Sequence, residues 1–227
     1  MEFTLTDKVA LVTGAGRGTG ATIARTLAAA GARVAVNDIN PDRAHRVAAE
    51  IREAGGRAID ITADISNKFQ CSHLVDSTRR QWGQLDILIN NAAIRPQSPI
   101  LKTDEYEWQR VMDVNLKGTF FMSQLCGRVM ADENQARGGV IINIASTAGV
   151  VTSFAGHAAY CASQGGIVGF VRECAREFAA YGIRVNTILP GEPPSAAAVA
   201  DAVLFLCSED GRHTTGSTVR VDGTAEA

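Results

Sequence analysis

Seven short runs of apolar and β-branched residues recur along the chain, and segments with helical spacing separate them. The runs cover residues 8–13, 33–37, 57–61, 86–90, 140–144, 184–188 and 218–221. Between them, apolar residues recur at intervals of three and four, and the segments stop at glycine. Strands that alternate with helices are typical of a parallel sheet. We therefore predict a single doubly wound α/β domain over residues 1–227, with strands that helices cover on both faces.

Composition narrows the classes of partner. The 227 residues suffice for one domain that buries a substantial core without disulfides or a metal. Lys+Arg 22 against Asp+Glu 24 gives a net charge of -2 without a block of either sign, which disfavours nucleic acid and anionic membranes. The five cysteines form no C-x-x-C pair, and no apolar run approaches the length of a membrane span. We expect a soluble, cytoplasmic protein that binds a small molecule and no metal.

The stretch T-G-A-G-R-G-T-G, residues 13–20, follows the first run directly and leads into a helical segment. Glycines permit a tight turn there and let a pyrophosphate approach backbone N–H groups at the positive end of the helix. By itself the pattern is also compatible with an ordinary strand-to-helix turn. Its place between a strand and a helix favours a dinucleotide-binding loop.

Asp38 stands at the end of the second run, eighteen residues after Gly20. A carboxylate at this position accepts hydrogen bonds from the hydroxyls of an adenosine ribose and repels a 2′-phosphate. Arg17 in the glycine loop favours the opposite choice, because a guanidinium pairs with phosphate. Asp38 carries more weight, since like charges repel strongly when they are buried. The expected cofactor is NAD, and NADP is the less favoured alternative.

Tyr160 and Gln164 are four residues apart in Y-C-A-S-Q, inside an otherwise apolar helical stretch. Residues at positions i and i+4 share one face of a helix. Tyr160 is therefore either a half-buried aromatic with a tethered hydroxyl or an acid–base group beside an unusual amide neighbour. The choice depends on motifs elsewhere in the chain.

Five further motifs follow the glycine loop in order. They are D-I (64–65), N-N-A-A (90–93), V-N-L-K-G (114–118), N-I-A-S-T-A-G (143–149) and P-G (190–191). Together with T-G-x-x-x-G-x-G they resemble the classical short-chain dehydrogenase/reductase family, in the group similar to 3-oxoacyl-carrier-protein reductases. Each motif is weak alone, but their shared order is strong evidence. The resemblance spans almost the whole chain and implies a Rossmann-type fold with a seven-stranded parallel sheet of order 3-2-1-4-5-6-7.

The resemblance also implies a hydride-transfer site that interconverts an alcohol and a ketone. In the family's pattern a serine orients the substrate oxygen, a tyrosine transfers the proton, and an asparagine kinks a helix and helps to hold a relay water. The catalytic positions are matched here by Asn115, Ser146, Tyr160 and Gln164. The cofactor-binding positions are matched by Gly14, Arg17, Gly18, Thr19, Gly20, Asp38, Asp64, Ile65, Asn91, Ala92, Tyr160, Gln164, Pro190 and Gly191.

Gln164 departs from the family's Tyr-x-x-x-Lys motif. The family's lysine hydrogen-bonds the nicotinamide ribose and lowers the pKa of the tyrosine. Glutamine keeps hydrogen-bond donors but has no charge. A free tyrosine titrates near about 10, so on the order of one molecule in a thousand is phenolate at pH 7. We expect an active but weakened enzyme whose alcohol oxidation speeds up into alkaline pH; the alternative is an NAD-binding protein with little or no catalysis.

The second departure follows Gly191. The family continues there through a mobile segment that covers the substrate, whereas here E-P-P-S-A leads almost at once into a helical pattern. Either this lid is deleted and the site is open, or the sequence omits a segment and joins two halves at Gly191. Omission is favoured because residues 191–202 resemble the family's sequence beyond the lid. A continuous chain requires the Cα atoms of Gly191 and Glu192 to lie about 3.8 Å apart.

Two further expectations concern His157 and the surface of the molecule. His157 precedes Tyr160 by three residues and is interpreted as a solvated loop histidine, because the sequence shows no carboxylate neighbour to orient it. The family's tetramers bury the helices after strands four and five, and the apolar run 119–125 is compatible with such burial. The resemblance therefore implies a homo-oligomer, either a tetramer or a dimer.

Overall fold

Seven parallel strands form one sheet in the computed structural model, which describes residues 3–134, 137–191 and 195–221. The order β3-β2-β1-β4-β5-β6-β7 confirms the predicted topology. Every pair of neighbours is parallel. The strands are β1 (Val9–Val12), β2 (Arg33–Asp38), β3 (Arg57–Thr62), β4 (Ile87–Asn90), β5 (Gly139–Ile144), β6 (Ile183–Pro190) and β7 (Thr218–Val221).

Helices connect successive strands within the described residues. They are α1 (Gly18–Ala29), α2 (Pro41–Glu53), α3 (Lys68–Trp82), α4 (Glu105–Met112), α5 (Gly118–Glu133), α6 (Ala158–Phe178) and α7 (Ala196–Cys207). A π-helical turn, Asp113–Lys117, joins α4 to α5, and short 3-10 turns follow α6 and α7. None of the described helices is both long and apolar enough to cross a bilayer.

Local signals set the ends of these helices. The side chain of Asn40 accepts the backbone N–H of Arg43 at 3.0 Å, and Pro41 occupies the first turn of α2. Both residue types are favoured at a helix start, because the side-chain oxygen satisfies an N–H group that the helix leaves unpaired and proline has no N–H group. At the other end of α3, Gly83 has a φ of 74°, a left-handed conformation that glycine adopts without strain.

Two hydrophobic cores lie on opposite faces of the sheet. One core joins the sheet to α1, α2 and α7 and includes Ile23 and Val203. The other joins the sheet to α3, α5 and α6 and includes Leu74, Met122 and Ile167. Helices therefore cover both faces of the central strands, as the continuous apolar runs predicted.

The two edge strands differ from that prediction. In β3 the side chains of Arg57, Asp60 and Thr62 are exposed, and in β7 those of Thr218 and Arg220 are exposed. The expectation that all strands are buried on both faces is therefore wrong at the edges. At the edges of the sheet one face of the strand is left open to water, so side chains that point alternately to the two faces alternate between the core and water.

β1 lies between β2 and β4, where the strand order reverses. In open α/β sheets this reversal opens a crevice outside the carboxyl ends of the strands. The glycine loop follows β1, the N-N-A-A segment follows β4 and Ser146 follows β5. The fold thus brings motifs that are more than a hundred residues apart to one edge of the sheet.

Candidate active site

The glycine loop turns from β1 into α1 with two residues in the left-handed region. Gly14 has a φ of 60° and Gly18 a φ of 55°, values that residues with a Cβ rarely adopt. A Cβ added to Gly14 would lie 2.7 Å from Cα of Ala92, so the loop packs directly on the segment after β4. Arg17, at the N-cap position of α1, makes no side-chain hydrogen bond to the first turn. The first N–H groups of α1 are therefore not capped by Arg17 and suit an anionic ligand.

Thr13 and Asn91 tie this loop to the end of β4. Thr13 Oγ1 accepts the backbone N–H groups of Asn91 at 3.0 Å and Ala92 at 3.2 Å. Asn91 Nδ2 donates to the carbonyl oxygens of Thr13 and Gly14, both at 3.0 Å. Sequence reasoning gave Thr13 no role at the site, although its place at the start of T-G-x-x-x-G-x-G was an available signal.

Asp38 is buried at the end of β2, and both of its carboxylate oxygens accept backbone N–H groups. Oδ2 accepts from Gly16 at 3.0 Å and Oδ1 accepts from Asn40 at 2.9 Å. The carboxylate is therefore held in one orientation and keeps lone pairs for further donors. Ile39, which is 58% exposed, and Arg43 line the same cleft. Sequence reasoning missed both, and their position beside Asp38 was the only signal.

Asp64 lies across the cleft in a small network with Ser66 and Arg110. Its Oδ1 accepts the hydroxyl of Ser66 at 2.7 Å, and its Oδ2 lies 3.2 Å from Nη2 of Arg110. Burial by itself raises the pKa of Asp64, but the hydrogen bonds from Ser66 and the Arg110 guanidinium outweigh burial and lower that pKa below its ordinary value. Arg110 comes from α4, 46 residues away, so only the fold shows this pairing.

Ten of the fourteen predicted cofactor-binding residues meet in a cleft of about 410 Å³ at the reversal of strand order. Within the described residues, no group of three or more His, Cys, Asp or Glu side chains is arranged to hold a metal ion. The predicted residues that line the cleft are Gly14, Arg17, Gly18, Thr19, Gly20, Asp38, Asp64, Ile65, Asn91 and Ala92.

A second, smaller cleft of about 150 Å³ contains most of the predicted catalytic residues. Ser146 enters it from the loop after β5, Tyr160 from the start of α6, and Gly191 from the end of β6. Gln164 and Pro190 also line it. The two clefts adjoin, because the same three residues line both: Thr19, Asn91 and Ala93.

The loop that carries Ser146 packs directly against the first turn of α6. Ser146 Oγ accepts the backbone N–H of Ala148 at 3.1 Å, which leaves its one O–H hydrogen to donate. Gly149 has a φ of 77°, and a Cβ there would overlap the carbonyl of Cys161. This close approach positions the serine loop beside Tyr160, the residue before Cys161.

Asn115 does not line either cleft but lies fully buried behind them. It is part of the π-helical turn Asp113–Lys117, which interrupts the helix where the resemblance implied a kink. Its amide accepts the backbone N–H of Ile94 at 2.9 Å and donates to the carbonyl of Ile94 at 3.0 Å. It also donates to Ser163 Oγ at 3.0 Å. Asn115 therefore joins the segment after β4 to α6.

Gln164 is 1% exposed, and the hydrogen bonds of Ser163 determine its orientation. Ser163 Oγ donates to the carbonyl of Tyr160 at 2.7 Å, so it accepts from Asn115 and, at 3.2 Å, from Gln164 Nε2. The amide nitrogen of Gln164 thus faces Ser163. Its Oε1 is buried and has no hydrogen-bond partner within the described residues. A buried carbonyl oxygen without a donor is unfavourable, so this atom would gain from a ligand that supplies one.

His157 is half-buried at the start of α6, so the expectation of a solvated loop histidine is wrong. Its Nδ1 lies 2.8 Å from the carbonyl of Pro96, which can only accept, so Nδ1 carries a hydrogen. The ring also packs edge-on against the Tyr160 ring, with centroids 6.5 Å apart. Arg95, from the same segment as Pro96, contacts the Tyr160 ring as well and carried no signal in the sequence.

Residues 192–194 lie outside the described residues. The Gly191–Glu192 distance, which was expected to distinguish a deletion from an omission, therefore also lies outside them. On the near side of this gap, the N–H of Gly191 donates to the carbonyl of Val221 at 2.8 Å. On the far side, Ser195 caps α7 by accepting the N–H of Ala198.

Comparison with known proteins finds relatives over nearly the whole chain. The model of the short chain dehydrogenase family matches residues 8–200. Cyclopentanol dehydrogenase from Comamonas is 34% identical over 244 aligned positions, covering 96% of both chains. A 3-oxoacyl-[acyl-carrier-protein] reductase from Synechocystis is 35% identical over 243 positions, covering 96% of this chain and 97% of the relative. D-threitol dehydrogenase from Mycolicibacterium smegmatis is 38% identical and covers 83% of this chain and 71% of its own.

The solved structures agree with these relatives. A short-chain type dehydrogenase/reductase from Mycobacterium marinum superposes with a TM-score of 0.93 at 32% identity, covering 100% of this chain and 98% of its own. The alignments of 244 and 243 positions exceed the 227 residues here, so those two relatives contain residues with no counterpart in this chain. The family match, the full-length relatives and the shared fold establish that the chain belongs to the short-chain dehydrogenase/reductase family of oxidoreductases.

Proposed function

We propose that the protein is an NAD(H)-dependent oxidoreductase that interconverts a secondary alcohol and a ketone, with Tyr160 as general acid and base. One observation carries this proposal: the cleft that holds Ser146 and Tyr160 adjoins the cleft formed by the glycine loop and Asp38. A hydride carrier in one cleft and a carbonyl in the other would therefore meet. Two relatives are named as dehydrogenases of alcohols, cyclopentanol and D-threitol, which supports the same reaction type.

Three features of the clefts fit a nicotinamide dinucleotide. The N–H groups at the start of α1 lack a side-chain cap and suit a pyrophosphate. The carboxylate of Asp38 retains lone pairs for ribose hydroxyls. The buried Oε1 of Gln164 lacks a donor within the described residues, and a ligand hydroxyl would satisfy it. When bound, this cofactor supplies or accepts the hydride.

NAD is proposed over NADP because the carboxylate of Asp38 is held in a fixed orientation at the cleft. Two backbone N–H groups hold its carboxylate at the cleft, so a 2′-phosphate would meet a fixed, buried negative charge. Arg17 and Arg43 also line the cleft and would attract a phosphate. Both are long, flexible side chains, whereas the orientation of Asp38 is fixed, and we give Asp38 the greater weight.

The residues of the smaller cleft supply proton transfer and hydrogen bonding. During ketone reduction, Tyr160 donates its phenolic proton to the substrate oxygen as negative charge develops there. Ser146, whose O–H hydrogen is not used by Ala148, donates a hydrogen bond to the same oxygen. During alcohol oxidation, Tyr160 as phenolate removes the hydroxyl proton. Ser163 holds the carbonyl of Tyr160 and is itself held by Asn115, so Asn115 positions the tyrosine through the backbone.

Gln164 lowers the rate without changing the direction of the reaction. It is neutral, so it does not favour the phenolate of Tyr160 as a cation would. Because the same proton transfer operates in both directions, the substitution changes rates and not the equilibrium. A protein that binds NAD with little or no turnover is the alternative, and the neutral amide at Gln164 is the observation that favours it.

Tyr160→Phe tests the proposal directly. A panel of secondary alcohols and ketones is assayed with NAD(H) and NADP(H) side by side, and NADH binding is followed by fluorescence. The parent turns over with NAD(H), and Tyr160→Phe loses about a hundredfold or more in kcat, because general acid–base catalysis contributes on that scale, while NADH affinity is retained. Turnover that survives Tyr160→Phe contradicts the proposed role. NADH binding without turnover on any substrate supports the alternative.

The expected lid after Gly191 remains a prediction. Two relatives contain residues that have no counterpart in this chain, which supports the interpretation that a segment is absent from this sequence. Sequencing the gene around the codon for Gly191 distinguishes the two origins: additional codons identify an omitted segment, and continuous codons identify a deletion. The cytoplasmic location is likewise proposed, and it is supported by five cysteines that are all free.

A further inference from the structure

Tyr160 requires a nearby positive charge to exchange a proton efficiently near neutral pH, because free tyrosine titrates near about 10. Gln164, one turn further along α6, is a neutral amide whose nitrogen faces Ser163. The structure brings a different side chain to the ring. The guanidinium carbon of Arg95 lies 5.7 Å from the centroid of the Tyr160 ring, within the range of a cation–π contact.

We infer that Arg95 is the electrostatic partner of Tyr160 and stabilises its phenolate. This inference rests on the proposed function, in which Tyr160 transfers the proton. A guanidinium stays charged over the whole working range of pH, and an opposite charge nearby favours the ionised form of a phenol. Arg95 acts through Tyr160 and needs no contact with the substrate oxygen.

The backbone on either side of Arg95 is anchored. Before it, the amide of Asn115 holds Ile94 through two hydrogen bonds of 2.9 and 3.0 Å. After it, the carbonyl of Pro96 accepts Nδ1 of His157 at 2.8 Å. Arg95 therefore projects from a segment fixed to the π-helical turn and to the start of α6, and its approach to Tyr160 is part of the fold.

A second aromatic ring contributes to the placement of the guanidinium. The guanidinium carbon of Arg95 lies 5.1 Å from the centroid of Phe154, which belongs to the loop before α6. Contacts with two rings restrict the side chain more than one contact would. The side chain of Arg95 is exposed overall, so water and salt screen part of its effect on Tyr160.

Among the residues that the structure describes, the other ionisable groups near Tyr160 do not supply a permanent charge. His157 packs edge-on against the ring, and an imidazole carries a positive charge only when it is protonated. Cys161, the next residue along α6, is half-buried and is neutral or negative. The remaining side chains that line the smaller cleft, within the described part of the chain, carry no charge. Arg95 is therefore the group among these that stays positive as Tyr160 titrates.

The test measures the ionisation of Tyr160 without turnover. The chain has three tyrosines, so the phenolate absorbance of each protein is titrated against its own Tyr160→Phe counterpart, and the difference reports Tyr160 alone. Cofactor is left out, because the oxidised nicotinamide adds positive charge. The variants are Arg95→Met, which removes the charge but can still pack on the rings, and Arg95→Lys, which keeps it. Arg80→Met, at an exposed arginine of α3, is the matched control.

We expect Arg95→Met to raise the midpoint of the Tyr160 titration by roughly half a pH unit to one unit. Arg95→Lys retains most of the parent's behaviour, and Arg80→Met changes nothing. The pH at which kcat/KM for alcohol oxidation rises moves by the same amount as the titration midpoint. Adding Gln164→Lys to Arg95→Met restores the lower midpoint, because a cation is returned to the same phenolate.

An Arg95→Met midpoint within about 0.2 pH unit of the parent overturns the inference, and so does an equal shift in Arg95→Lys, because either result removes charge as the cause. Circular dichroism at each pH restricts the comparison to folded protein. The proposed function fails separately. If the titration shifts but no substrate is turned over, Arg95 is the partner of Tyr160 and the proposed enzymatic function is rejected. If substrate is turned over but the titration does not shift, the enzymatic function stands and the role of Arg95 is rejected.

Discussion

Two buried side chains of this site, Asp38 and Gln164, differ in charge and in how their polar atoms are paired. Asp38 is a charge held in place by two backbone N–H groups, so its effect on a ligand follows from one residue type at one position. Gln164 is an amide whose nitrogen is taken by Ser163 and whose oxygen has no partner within the described residues. At both positions one substitution changes the charge: Asp38→Asn removes a negative charge and Gln164→Lys adds a positive one, and we expect an electrostatic effect from each.

Gln164→Lys supplies a cation one turn from Tyr160. We expect the rise of the alcohol-oxidation rate with pH to move to lower pH by about one unit or more, because an opposite charge within a few ångströms favours the phenolate. The measurement is kcat/KM against pH for both proteins. Gln81→Lys, at an exposed glutamine of α3, is the control for added charge alone. Coincident profiles for Gln164→Lys and the parent would show that position 164 does not tune the tyrosine.

Asp38→Asn removes the negative charge and keeps an oxygen for the N–H of Gly16. We expect kcat/KM with NADP to rise relative to NAD by about tenfold or more, since the repulsion of a 2′-phosphate is lost while Arg17 and Arg43 remain. Asp42→Asn, at an exposed acid in the first turn of α2, leaves the ratio unchanged. A parent that already prefers NADP would contradict the weight given to Asp38.

At the scale of elements, close approach between backbones positions the catalytic side chains. Asn115 joins the segment after β4 to α6, and Gly149 lets the loop after β5 touch the first turn of α6. The segment after β4, the loop after β5 and α6 thus meet around Tyr160. The order of the strands brings these three elements together, and the absence of a Cβ at Gly149 lets the loop after β5 contact α6 closely.

A comparison of Gly149→Ala with Gly55→Ala distinguishes the cost of backbone strain from the cost of steric overlap by the added Cβ. Both glycines have positive φ, 77° and 84°, but a Cβ at Gly55 meets nothing within 4 Å, whereas a Cβ at Gly149 overlaps the carbonyl of Cys161. We expect Gly55→Ala to lower the free energy of unfolding by about 1 kcal/mol and Gly149→Ala by about 3 kcal/mol or more. Urea unfolding measures both. Equal losses would mean that the loop moves away from α6 at little cost.

At the scale of the whole molecule, an exposed aromatic groove is a candidate for contact with another chain. A groove between α5 and α6 is lined by aromatic side chains, among them Phe120, Phe170 and Tyr181. Phe120 is 38% exposed and Tyr181 53% exposed, and the rings of Phe120 and Phe170 lie 6.0 Å apart. Exposed apolar patches of this kind are typical of interfaces. We therefore propose that this face contacts a second copy of the chain, as the resemblance implied.

Phe120→Asp tests this interface. We expect the parent to be a dimer or tetramer by light scattering after size-exclusion chromatography, and Phe120→Asp to form a smaller species, because burying a charge in an apolar contact is unfavourable. Phe69→Asp, which changes an 86% exposed phenylalanine of α3, leaves the mass unchanged. A parent that is monomeric at micromolar concentration would reject the proposed interface.

The fold class and most of the candidate site follow from patterns that are local in the chain. Periodicity of apolar residues gave the strands, and short motifs such as the glycine loop located many of the residues that line both clefts, because helix, strand and turn preferences depend on near neighbours. The contacts of Arg95 with Tyr160, the pairing of Arg110 with Asp64 and the orientation of Gln164 depended on the tertiary structure. The first two contacts join residues from separate elements, and the orientation of Gln164 is set by a contact of that kind between Asn115 and Ser163. Such contacts depend on distance in space, which sequence spacing does not give. Sequence spacing therefore located the tyrosine, whereas only the packed fold showed which positive charge lies beside it.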